Sequence, residues 1–493
     1  MIKEQSSYRQ IMKATSIFGG VQVFKIIIGI IQTKFIAVLL GPLGMGISGL
    51  LTSTTGFIAA LTNFGLSTSG VKDVSAAHST GNETRVSIIA KVFRRWVWVT
   101  GLLGAVLTAA LSPWLSQLTF GNKDYTFAFI WISITLLFNQ LSAGQSVMLR
   151  GMRKIRYLAQ SGIIGSIIGL FTTIPLYYFY GVKGIVPGII VTALTTLSLT
   201  WYFARKLDIK PIYVSMVRTI AEGKGMLKMG FMISLSGLIA LGASYILRIY
   251  ISNAGGVDQV GLYTAGFAII NTYVGMVFTA MATDYYPRLS AVAHSNKKSK
   301  EVINQQAEIS ILILAPLILV FLVFINWVVI ILYSTKFIPI NDMILYAALG
   351  VFFKAISWSM SFVLLAKGAS KTFFWNELIT NIYLLTLNFL GYKFFGLKGL
   401  GISFMIAYIL YAFQLFGVTK YKYEFSFTPA FSKIFSLQFG LAIACFAATK
   451  LLAGPFSYVV GTLFIAASVY FAYKELDKRL DIKSIISGIK KRF

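Results

Sequence analysis

Apolar residues along this chain come in runs of about 20, broken by short polar links. They do not follow the 3.6-residue spacing of an amphipathic surface helix. Fourteen runs can be marked: 16–40, 44–68, 95–117, 126–147, 158–180, 183–204, 229–251, 259–282, 308–333, 342–366, 372–392, 396–418, 434–453 and 456–474. Each is long enough to cross the ~30 Å hydrocarbon core of a bilayer as an α-helix. The pattern predicts an all-α polytopic membrane protein with about 14 transmembrane helices. The first run is too long for a signal-peptide core and has no convincing cleavage site, so it reads as a retained span.

The polar links repeat. GVKGI at Gly181–Ile185 and GLKGL at Gly396–Leu400 stand 215 residues apart, each between two long apolar runs. GPLGMGIS (Gly41–Ser48) aligns with GVDQVGLY (Gly256–Tyr263) at the same offset. VSAAH (Val74–His78) resembles LSAVAH (Leu289–His294), and RGMRK (Arg150–Lys154) resembles KGASK (Lys367–Lys371) at an offset of 217. Four matches in order at nearly one offset indicate an internal repeat of six spans. An even number of spans gives both copies the same orientation, so the repeats are parallel and related by an axis along the membrane normal. The expected layout is an N-terminal six-helix lobe (1–210), a C-terminal six-helix lobe (211–422), and an added helix pair with a basic tail (423–493). Two such lobes would enclose a central cavity.

Composition agrees with the membrane reading. Hydrophobic residues make up 57% of the chain and charged residues 12%, against about 25% charged in soluble domains. The net charge of +28, from 44 Lys+Arg and 16 Asp+Glu, would suggest nucleic acid in a soluble protein. Its distribution says otherwise. With the N-terminus cytoplasmic, 34 of the 44 cations fall in inner links, six in outer links and four within spans. That is the positive-inside asymmetry. It predicts a cytoplasmic (inner) membrane protein with both termini cytoplasmic, and no nucleic-acid partner. Cys445, the single cysteine, excludes a disulfide framework. The Lys-rich tail from Lys474 to Phe493 suits attraction to anionic membrane lipid.

Charge within a span is costly, which makes it a functional lead. Lys25 and Lys354 sit near the middle of the first and tenth spans; Lys34 and Arg248 sit nearer outer ends, where snorkelling is an equal reading. These four form the candidate cationic, substrate-binding set, suited to an anionic substrate. Lys25 and Lys34, nine residues apart, lie about 180° apart on a straight helix and can face one cavity only if the helix bends at Gly29. Glu377 is the main intramembrane acid, a candidate for ion coupling or for an ion pair with Lys354. Gln22, Asn63, Asn139, Asn271 and Asn381 are weaker candidates for polar cavity lining, with interhelical hydrogen bonding as the plainer role. Gly162, Gly165 and Gly169 suit close helix packing. The sequence has no P-loop, HExxH, CxxC or GxSxG motif, so neither an enzyme nor a cofactor is expected.

The opening spans, VFKIIIGIIQTKFIAVLLGPLGMGISGLL, resemble Wzx-type polysaccharide flippases of the multidrug/oligosaccharidyl-lipid/polysaccharide exporter superfamily. GLYTAGFAIIN (Gly261–Asn271) followed by YYPRLS (Tyr285–Ser290) is similar to that family's central signature. FGNKDY (Phe120–Tyr125), LYSTKF (Leu332–Phe337) and VLLAKGASKTFF (Val363–Phe374) resemble the O-antigen and enterobacterial common antigen branch. The resemblance covers residues 10–420. It implies transfer of a polyprenyl-pyrophosphate-linked oligosaccharide (an O-antigen-type repeat unit) from the cytoplasmic to the outer leaflet by alternating access. It further implies lipopolysaccharide biosynthesis as the setting, glycan polymerase machinery as a partner, and basic positions like Lys25, Lys34, Arg248 and Lys354 in that branch's pattern. The family commonly has twelve spans, so the last two here are additional. A cation-coupled, multidrug-type small-molecule exporter is the alternative, distinguished by dependence on Glu377. A monomer enclosing its own cleft is the default expectation.

Overall fold

The computed structural model describes residues 24–452 and 454–480. The start of the first expected span, Gln22 and the basic tail beyond residue 480 lie outside the described residues. Among the described residues the chain is helical without strands. The helices are α1 (24–39), α2 (Gly41–Thr62), α3 (Leu66–Ser79), α4 (Glu83–Ala110), α5 (Ser112–Phe120), α6 (Thr126–Gly151), α7 (Ile155–Tyr180), α8 (Ile185–Ala204) and α9 (Met216–Gly255). They continue with α10 (Val257–Ala268), α11 (Gly275–Ala291), α12 (Asn296–Leu332), α13 (Asn341–Ala366), α14 (Ser370–Tyr423), α15 (Pro429–Leu451) and α16 (Pro455–Leu480). Eleven continuous helical stretches are long and apolar enough to cross a membrane, and the protein is a multi-pass membrane protein. Two of these stretches, Ile155–Ala204 and Ser370–Tyr423, have 50 and 54 residues. At ~1.5 Å rise per residue each is more than twice as long as a bilayer core is thick, so each supplies two crossings. The exact count of fourteen turns on the first span, which is described only in part.

The repeated pentapeptides are the two places where those long stretches turn. Gly181 adopts φ 55°, ψ −134°, and Gly396 adopts φ 57°, ψ −140°. A residue with a Cβ is strained there, so the same glycine is needed in both copies. Each turn closes on a second repeated contact: Gly184 packs on the carbonyl of Leu176, and Gly399 on the carbonyl of Gly391. Both contact pairs are also related by 215 residues. The α2–α10 crossing repeats the theme, with Gly46 against the Val257 carbonyl and Gly261 against that of Pro42. One alignment needs correction. The turn after α6 has Arg153 at φ 58° and the turn after α13 has Gly368 at φ 70°. The bonds Lys154 N–H to Leu149 O and Ala369 N–H to Leu364 O are both 2.8 Å. The backbone equivalence is therefore 215, not the 217 given by matching RGMRK to KGASK.

The chain forms two compact units. One comprises the described residues up to Gly261 with Leu332–Ser334, and the other Leu262–Ile331 with the described residues from Thr335 onward. In the first, Phe93 and Val97 of α4, Val147 and Met148 of α6, and Leu66 and Val74 of α3 share a buried apolar core. The repeat counts α9 as the first span of its second block, yet α9 packs on α2, α3, α4 and α5 in the first unit. Polar contacts around the 205–215 link fix it there. Arg85 makes a bidentate pair with Glu222 at 2.5 and 2.9 Å, Lys210 meets Glu83 at 2.7 Å, and Arg95 donates to Val214 O and Thr219 Oγ1.

The Arg85 hydrogen bonds hold the Glu222 carboxyl below its usual range. A depressed carboxylate stabilises the fold above its unfolded pKa of about 4.3, and that contribution is lost as pH falls through the lower folded value. Glu222→Gln is therefore expected to cost about 0.5–1 kcal/mol at neutral pH, the modest size reflecting partial exposure of the pair. Melting of the detergent-solubilised variant should show the deficit at pH 7 and a smaller one near pH 4.

In the second unit α13 is the central helix. Inside the protein lies 67% of its most apolar window, against 22% for α15 and 17% for α16. The added pair is nonetheless tied in. Gln438 and Ser468 join α15 to α16 by two hydrogen bonds. Arg479 of α16 donates to Glu308 of α12 at 2.9 Å, and a run of stacked rings, Phe427, Phe431, Phe435 and Phe439, lines α15 and its approach.

Candidate functional site

Lys354 lies on α13, the most enclosed helix of the second unit, and is itself partly buried, where a charge is costly. Its ammonium group sits 5.8 Å from the ring centre of Phe278, 5.7 Å from Phe404 and 5.5 Å from Tyr408. Such contacts are worth ~0.5–2 kcal/mol each and do not replace a counter-charge. Its polar partner among the described residues is Asn271 Oδ1 at 3.5 Å, the long limit of a hydrogen bond. No carboxylate pairs with Lys354 among the described residues. Asn271 lies in a π-helical turn, Ile269–Val274, between α10 and α11. The wider turn is a local departure that recurs at functional sites. The structure thus brings together two sequence candidates, Lys354 and Asn271, and surrounds them with three aromatic residues that the sequence did not single out. With 15% aromatic residues in the chain, no local signal marked these three.

The ion pair between Lys354 and Glu377 does not form. Glu377, on the first half of α14, accepts a hydrogen bond from Tyr411 of the second half at 2.6 Å. Gln414 Nε2 to Asn376 Oδ1 (2.8 Å) and Ser403 Oγ to Leu387 O (2.6 Å) join the same two halves. Glu377 is one rung of a polar seam across the Gly396 turn. Asn381 donates to the Glu377 backbone carbonyl within its own helix.

The first unit holds the other cations on two elements, Lys25 and Lys34 on α1 and Arg248 on α9. Lys25 extends from α1 across Gly162 of α7. A methyl group there would come within 2.6 Å of its Nζ and Cε, so this glycine makes room for a charged side chain. Helix α1 is unbroken from 24 to 39, which leaves Lys25 and Lys34 on opposite faces. Arg248 of α9 bonds Ser244 Oγ one turn earlier, at 2.5 Å. Asn63 accepts from Gly65 N–H at 2.8 Å and shapes the turn between α2 and α3. Asn139 is exposed on α6, while its neighbour Gln140 donates to Thr100 of α4.

Because the Gly162 contact is with the end of a flexible side chain, Gly162→Ala is expected to change stability by less than about 1 kcal/mol and to displace Lys25. Thermal unfolding and accessibility of Lys25 to an amine-reactive label would register the two effects separately.

Comparison with known proteins gives the context. A family model described as "Polysaccharide biosynthesis protein" matches residues 35–342. A Shigella flexneri protein named "Putative O-antigen transporter" is 26% identical over 400 residues, covering 79% of this chain and 93% of that protein. The protein of Escherichia coli K12 named "Lipid III flippase" is 22% identical over 393 residues, covering 78% and 92%. Among solved structures, the lipid II flippase MurJ in an inward closed conformation matches with TM-score 0.70 at 14% identity, covering 94% of this chain and 99% of that one. An inward-facing multidrug resistance MATE family transporter of the MOP superfamily matches with TM-score 0.67 at 17% identity, covering 83% and 96%. At these identities the structural matches establish the fold.

Proposed function

Since the chain belongs to the polysaccharide biosynthesis protein family, and the most buried helix of its second unit carries an ammonium group without a carboxylate partner, we propose that it is a flippase for a polyprenyl-pyrophosphate-linked oligosaccharide. The oligosaccharide is of the O-antigen repeat-unit type. It moves from the cytoplasmic to the outer leaflet of the inner membrane by alternating access, with both termini cytoplasmic. Lys354 is the observation that carries the reading. A pyrophosphate entering an apolar interior needs a cation, and Lys354 offers one that no carboxylate among the described residues neutralises. Asn271 adds an amide, and the rings of Phe278, Phe404 and Tyr408 offer apolar faces suited to a sugar. Lys25, held over Gly162, is the corresponding cation of the first unit; Lys34 and Arg248 serve as outer basic positions. The names of the two curated relatives support the lipid-linked substrate, and glycan polymerase machinery is a fitting downstream partner.

A strain lacking the gene, and lacking any redundant flippase, should accumulate lipid-linked oligosaccharide protected from an impermeant glycan-degrading reagent. An unchanged, accessible pool would refute the proposal. The fold is shared with multidrug transporters, and Glu377 is where a cation-coupled exporter would need its carboxylate. Because Tyr411 needs only an acceptor, Glu377→Gln should keep glycan transfer within about twofold and Glu377→Ala should lower it further by opening the α14 seam. Complete loss in Glu377→Gln, together with efflux of cationic dyes by the wild type, would favour the exporter.

A further inference from the structure

A groove of about 560 Å³ opens on the first unit among α4, α6 and α8. We infer that it holds the headgroup of an anionic membrane phospholipid. Its cationic residues are Arg94 and Arg205, and its lining has no carboxylate. Arg94 makes no hydrogen bond or ion pair among the described residues. Arg205 lies over the Trp201 ring at 4.4 Å. That stacking fixes the guanidinium plane and leaves its N–H groups available for a phosphate. Gln145 and Ser198 also line the groove and supply neutral donors.

The groove sits where a headgroup would be. The first turns of α4 carry Glu83, Arg85, Lys91, Arg94 and Arg95, and no charge follows up to its end at Ala110. Helix α8 carries no charge up to its end at Ala204 and is followed at once by Arg205 and Lys206. The two arginines therefore mark the polar boundary of both helices. Trp98 and Trp201, 50% and 49% exposed, stand beside them, as tryptophans do at a membrane–water interface. Deeper in each helix, Leu102, one turn beyond Trp98, and Leu194, two turns before Trp201, are exposed and provide a surface for acyl chains. Basic pockets between transmembrane helices at the interface suit anionic lipid. The site uses none of the residues assigned to oligosaccharide transfer and does not rest on that assignment.

The test uses the full-length protein in nanodiscs of equal phosphatidylglycerol and phosphatidylcholine, followed by native mass spectrometry of the released protein. Wild type should retain phosphatidylglycerol preferentially. Each lost arginine charge should reduce that preference about fivefold, so Arg94→Gln with Arg205→Gln should nearly abolish it, while Arg205→Lys should keep most of it. Gln145→Glu, which sets a carboxylate against the phosphate without removing either arginine, should reduce retention as well and covers the case in which the double variant does not fold. Equal lipid ratios in wild type and variants would overturn the inference. Displacement of phosphatidylglycerol by millimolar inorganic phosphate would make this a soluble-anion site, and displacement by equimolar polyprenyl phosphate would make it a substrate site. Either result also overturns it.

Discussion

Lys354→Met is expected to lower the rate of lipid-linked oligosaccharide transfer by about ten- to a hundredfold, without loss of thermal stability. Hydrogen bonds to charged groups are worth roughly 1.5–3 kcal/mol, and about 1.4 kcal/mol corresponds to a factor of ten. The methionine side chain keeps the volume against Phe278, Phe404 and Tyr408 but removes a charge that has no carboxylate partner. Removing such a charge relieves a burial cost, so the melting temperature should hold or rise. Lys354→Arg should retain much of the transfer, because charge rather than shape is the requirement. A Lys354→Met protein with normal expression and full transfer would remove Lys354 from the substrate path. A variant that loses both transfer and stability would assign Lys354 to packing.

The second large effect lies far from any charge. Gly396→Ala and Gly181→Ala should each destabilise the protein by about 1–3 kcal/mol, the cost of forcing a Cβ into a backbone region suited to glycine. The two values should be similar, because the backbone angles differ by only a few degrees. Gly399→Val should cost more for a different reason, since its side chain would overlap the Gly391 carbonyl. Lys398→Ala, on the same turn, should stay within about 0.5 kcal/mol and serves as the control. Thermal unfolding in a mild detergent reads all four. Unchanged melting in both alanine variants would mean that the repeated glycines are not what permits the turns.

These two predictions rest on parts of the chain that differed in how plainly they could be read. The turns were legible because glycine at Gly181 and Gly396 answers a steric demand that no other residue meets as well, so it recurs in both copies. The turn after α6 was misaligned by two residues for the converse reason. Its left-handed position is filled by Arg153 in one copy and Gly368 in the other, and matching letters led away from matching backbone. Lys354 was legible because a cation in the middle of an apolar run is costly and so stands out as a functional lead. Its surroundings were not, since the rings come from α11 and α14 and only packing brings them together. The ion pair with Glu377, one of two readings of that acid, does not form for the same reason. Sequence separation does not set which face of α14 meets α13, and Tyr411, one rung across the Gly396 turn, takes the carboxylate instead.

The most direct test of the central claim is transfer by the purified protein. Proteoliposomes carrying a fluorescent polyprenyl-pyrophosphate oligosaccharide in both leaflets would be treated with an impermeant glycosidase. The account predicts that wild-type protein exposes nearly the whole pool to cleavage, that protein-free vesicles stop near half, and that Lys354→Met vesicles pass half only about ten- to a hundredfold more slowly than wild type. Cleavage stopping near half with folded wild-type protein, under imposed proton, sodium and voltage gradients, would contradict it.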